Sequence, residues 1–113
     1  MKKLNVLLLL ISSLLIVSCE SNTYQELTEV VNNPTYEANI KTIMTDNCIG
    51  CHSSGDQYPN LETYDEVKDA CENGEVICRI EGTCGEIMPT SGPMPEELIN
   101  QIKLWSTTGY LNQ

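Results

Sequence analysis

The chain has 113 residues, with six Lys and Arg against sixteen Asp and Glu, a formal net charge of −10. That length suits one small domain, and the negative balance speaks against nucleic acid or an anionic lipid surface as an electrostatic partner. With no Phe, five Tyr and one Trp, the core is thin, and a bound group is expected to supply buried surface.

The chain opens "MKKLNVLLLLISSLLIVSC". Lys2 and Lys3 precede an apolar run from Leu4 to Val17, the pattern of a secretory signal rather than of a spanning helix. "LIVSC" resembles a bacterial lipobox, which implies a signal over residues 1–18 and lipidation of Cys19 as the mature N-terminus. Dual acylation would anchor the protein stably to a membrane, facing the periplasm or the cell surface. Loss of Lys2 and Lys3 with the signal leaves Lys41, Lys68, Arg79 and Lys103 against sixteen acidic residues, a formal charge near −12. Residues 19–35, polar and ending in Asn-Asn-Pro-Thr, read as a tether with a mean span of roughly 20–24 Å. The domain is expected over residues 36–113.

Within it, Tyr36, Ile40, Ile43 and Met44 form a helical stripe that runs into Cys48. Residues 53–60, with Gly55 and Pro59, read as a loop. Leu61 to Cys71 is a second helix with Tyr64, Val67 and Cys71 on one side; Thr63 and Glu66 have the spacing of a capping box. Asn73-Gly74 ends it, and Glu75 to Ile80 is a short third helix. Residues 82–93 form a Gly/Pro-rich loop. Pro95 to Thr107 is the fourth helix, with Leu98, Ile99, Ile102 and Trp105 on one face and Gly109 as its stop. No strand alternation appears. The fold class is all-α.

"NCIGCHSSG" holds the only histidine, His52, directly after Cys51 and four residues after Cys48. Shuffling this composition would give about 0.003 copies of C-x-x-C-H, so accident explains it poorly. Two cysteines at this spacing reach the adjacent vinyl groups of one haem, and the following histidine then lies under the iron as an axial ligand. Zinc is the rival: Cys48, Cys51 and His52 with one of Cys71, Cys78 or Cys84 make a Cys₃His set. Adjacent Cys51 and His52 are awkward co-ligands, however, and an exported thiol cluster competes with disulfide formation. A thioredoxin-like reading needs a strand–helix context that is absent. With one histidine, two-histidine ligation within the chain is impossible. Met88 and Met94, each followed by proline in a loop, are the candidate second ligands; a thioether favours ferrous iron and raises the potential.

From Asn39 to Tyr110 the sequence is similar to class I c-type cytochromes. The resemblance rests on Cys48, Cys51 and His52, "TYDEVK" (63–68), "MPTSG" (88–92), "EELINQIKLW" (96–105) and Gly109. It implies a small cytochrome c-like fold of about four short helices around one covalent haem c, with Met88 facing His52 across the iron and Met94 the alternative. It also implies that the first and last helices pack together beside the haem edge, with Trp105 near that contact. Arg79 is expected either at a haem propionate, as in similar proteins, or in a surface ion pair with Glu75 or Glu81. Cys71, Cys78 and Cys84 depart from the family pattern. One disulfide and one spare thiol are expected, with Cys84 pairing preferentially with Cys71, since Cys78 is only six residues from Cys84, and with Cys78 as the alternative.

The expected function is electron transfer, not enzymatic catalysis. A redox partner with a basic docking patch and the membrane anchor are the expected contacts, with no small-molecule substrate. The alternative is a haem-based small-ligand sensor or catalyst in which the methionine is displaced or absent.

Overall fold

A computed structural model of the chain describes residues 31–113. The signal, Cys19 and most of the tether lie outside the described residues. Among the described residues the structure is helical, without strands. No helix among them is long and apolar enough to cross a membrane.

The first helix opens as a π-helical segment, Tyr36–Ile40, and continues as α1, Lys41–Asn47. It is followed by α2, Tyr64–Glu72, the short α3, Val76–Ile80, and α4, Glu96–Thr107. The expected boundaries are met closely because local chemistry marks each end. Thr35 caps the first helix: its Oγ1 accepts from Ala38 N at 3.3 Å. The Thr63–Glu66 capping box closes in both directions. Gly109, at φ +93°, turns the chain out of α4 through a conformation that side chains with a Cβ rarely adopt.

The domain starts slightly earlier than its sequence suggests. Pro34 is fully buried and Thr35 is a cap, so the last residues assigned to the tether belong to the folded unit. Proline there presents an apolar ring without an N–H to satisfy.

Residues 111–112 close over the start of the first helix. Tyr36 N–H donates to Leu111 O at 2.8 Å and Glu37 N–H to Asn112 O at 3.1 Å, which satisfies donors that a helix start leaves open. Trp105 Nε1–H donates to the same Leu111 carbonyl at 2.8 Å. Its ring meets Tyr110 edge-on at 4.9 Å and lies 6.1 Å from Tyr36, so aromatic packing joins α4 to the first helix. Ile40, Met44, Val67 and Ile102 are fully buried beside it. The first and last helices therefore pack together, as the resemblance implies.

Candidate functional site

The cysteine–histidine segment continues the first helix past its end. Cys48 N–H and Ile49 N–H both donate to Met44 O, and Cys51 N–H and His52 N–H both donate to Cys48 O, at 3.1 and 3.0 Å. These bonds wind residues 48–52 into a turn that carries Cys48, Cys51 and His52 to one wall of a cavity. Leu61 N–H returns to His52 O at 2.8 Å and fixes the exit of the loop.

His52 Nδ1 lies 2.9 Å from Pro59 O. A carbonyl only accepts, so Nδ1 carries the proton, and Nε2 of the neutral ring keeps its lone pair for a ligand. The segment after Pro59 is braced in turn, with Asn60 Nδ2–H donating to Glu66 Oε1 at 3.4 Å. Asn60 Oδ1 accepts from Gly55 N at 3.0 Å, and Glu66 accepts from Glu62 N, Thr63 N and Thr63 Oγ1 at 2.9–3.2 Å. These donors, the Thr63 hydroxyl first, hold the Glu66 carboxyl below the usual carboxylate range.

The cavity has a volume of about 490 Å³, within the range of roughly 300–1,000 Å³ typical of cofactor and ligand sites. Cys48, Cys51, His52 and Met88 all line it, with Leu61 and Ile80 among its apolar walls. Cys48 and Cys51 are both free thiols, and burial pushes Cys48 up to about 11.

Two expected site residues, Met94 and Trp105, stand elsewhere. Met94 is buried in the core and does not line the cavity, whereas Met88 is half-buried on its wall. Trp105 is fully buried and also absent from the cavity wall: it holds the chain terminus to the first helix. Arg79 does line the cavity, and its guanidinium is bound to Glu75 at 2.9 and 3.0 Å, the ion pair expected as the alternative to a propionate. Glu81 pairs with Lys103 instead.

The disulfide joins Cys78 to Cys84, correcting the expected Cys71–Cys84 pairing. The chain turns back directly after α3, with Gly82 N–H donating to Arg79 O and Thr83 N–H to Cys78 O, which brings Cys84 beside Cys78 despite the short separation. Cys71 remains a free thiol in the core, and burial pushes it up to about 12.

No family model, curated relative or solved structure matches this chain.

The donor set fits a covalent c-type haem: two free thiols, an imidazole with its outer nitrogen engaged, and a thioether, all on one cavity. For the rival zinc set, Cys78 and Cys84 are joined to each other, which leaves the free Cys71 as the fourth thiol; among the described residues no group of three or more His, Cys, Asp or Glu stands where it could hold a metal ion. Sequence reading missed Pro59, because a backbone carbonyl carries no residue-type signal, and Asn60, whose bridging role emerges only once the loop is folded.

Proposed function

We propose that this protein carries electrons through one covalently bound haem c with His52 and Met88 as axial ligands, anchored to a membrane through a lipidated Cys19. The observation that carries this reading is the meeting of the Cys48–Cys51–His52 segment with Met88, distant from it in sequence, on one cavity of cofactor size.

When bound, the haem supplies an iron that alternates between ferric and ferrous states. The chain's own residues determine how. Cys48 and Cys51 tether the macrocycle through thioether bonds. Pro59 holds the His52 ring in one tautomer and orientation and raises its basicity as a ligand. Met88 is a soft donor that favours the ferrous state. Leu61 and Ile80 exclude water from the cavity wall. With His52 and Met88 both holding the iron, the protein would leave no position for a substrate. The acidic surface steers encounter with a partner bearing a basic patch.

The test of haem attachment is production with c-type haem maturation machinery, followed by denaturing electrophoresis and intact mass. One haem per chain is expected to survive denaturation, and to be lost in Cys48→Ala/Cys51→Ala. A colourless protein containing stoichiometric zinc would overturn the proposal.

A further inference from the structure

The loop that carries Met88 is closed twice on the start it leaves. The chain departs α3 around Arg79 and returns there: Met88 N–H donates to Arg79 O at 3.1 Å, as does Gly82 N–H at 3.2 Å. The Cys78–Cys84 disulfide shuts the first half of the loop, reinforced by Thr83 N–H and Oγ1–H donating to Cys78 O at 2.9 and 3.2 Å. The second half, residues 85–88, lies beyond the disulfide.

That half is organised on the Arg79 guanidinium. Nη1–H donates to Glu86 O at 3.2 Å, while Nε and Nη2 hold Glu75. Gly85 lies directly on the same group: a Cβ there would stand 2.4 Å from Nη1 and 2.6 Å from Cζ, and φ at Gly85 is +60°. Arg79 thus fills the loop with its side chain and ties its far end with its own carbonyl. Glu75 already takes up its charge.

We propose that Arg79 is a positioning residue for the Met88 ligand: its guanidinium, seated between Glu75, Gly85 and the Glu86 carbonyl, holds the loop in the form that presents Met88 to the cavity. This rests on the assignment of Met88 as an axial ligand. The planar fork is what allows one side chain to face a carboxylate and a carbonyl together; a lysine ammonium offers the charge without that geometry.

The experiment is an imidazole titration of the ferric haem-loaded protein, followed by the weak near-red band of a sulfur–iron bond. Wild type is compared with Arg79→Lys and Gly85→Ala, with far-UV circular dichroism to establish that the helices persist. Arg79→Lys keeps the charge; Gly85→Ala keeps every charge and crowds the guanidinium. In both variants the imidazole concentration that half-bleaches the band is expected to fall about tenfold, because a loosened Met88 competes less well. Should Arg79→Lys misfold, Gly85→Ala carries the same test alone. Unchanged titrations in the folded variants would overturn the proposal, and a shifted potential with an unchanged titration would assign Arg79 to a haem carboxylate instead. Absence of the band in wild type removes the premise, and thereby the proposal, and is distinguished from the other outcomes because it appears before any variant is made.

Discussion

Replacing Trp105 by Phe separates stability from function in this domain. The indole is fully buried, donates to Leu111 O at 2.8 Å and stands against Tyr36, Tyr64 and Tyr110. Phe keeps an aromatic ring but loses the N–H. The Leu111 carbonyl is not orphaned, since Tyr36 N–H still donates to it at 2.8 Å, so the lost bond costs only about 0.5–1.5 kcal/mol. The smaller ring leaves a void worth about 1–2 kcal/mol, and together these give a loss of roughly 1.5–3.5 kcal/mol. For a domain of this size that lowers Tm by roughly 6–28 °C, read by thermal melts of the haem-loaded protein in far-UV circular dichroism. Because Trp105 does not line the cavity, the reduction potential is expected to move by less than about 59 mV, the tenfold equivalent for a one-electron couple. A larger potential shift with an unchanged Tm would refute the reasoning and place Trp105 at the cofactor.

Other expectations follow from single contacts. The Glu66 carboxyl is depressed in the folded protein, so its contribution is complete above the ordinary carboxylate pKa of about 4.3 and is lost as pH falls through the folded value. Glu66→Gln should therefore flatten the acid limb of urea stability measured between about pH 5 and 3, and superimposable acid limbs would contradict it. Thr63→Ala removes the reciprocal cap of α2 and is expected to cost about 1 kcal/mol in the same denaturation assay; no change in the urea midpoint would sink that assignment. In the haem-loaded protein Cys71, buried and pushed up to about 12, should resist iodoacetamide at pH 8 until denaturant is added; rapid labelling of the native state, seen by mass mapping, would show that the thiol is accessible. Reduction by a cationic redox partner should slow as ionic strength rises, and a salt-independent rate constant would argue against acidic steering.

The helices were legible because each carries its own punctuation. Thr35, the Thr63–Glu66 pair, Asn73-Gly74 and Gly109 mark ends through local hydrogen bonding and backbone preference, and the apolar stripes between them have helical spacing. Cys48, Cys51 and His52 come together through their spacing alone, one turn past a helix end. What was not legible depends on chain return. The Cys78–Cys84 bridge requires the tight turn at Gly82, and six residues of separation look too few without it. Trp105 has the residue type expected at a cofactor edge, but the C-terminal tail folds back to claim its N–H. The Arg79–Glu75 pair, by contrast, was open to sequence reading, since Glu75 lies one helical turn before Arg79. The resemblance favours Met88 over Met94, and the packing of the loop sends Met94 into the core and leaves Met88 at the cavity.

The central claim is that His52 and Met88 together fill the axial positions of one haem. It is tested most directly by the absorption spectrum of the ferric protein, wild type beside Met88→Ala and Met94→Ala. The near-red sulfur–iron band is expected in wild type and Met94→Ala, and its loss in Met88→Ala. A wild-type protein that holds haem but never shows the band would contradict it and bring small-ligand sensing or catalysis at an open iron to the front.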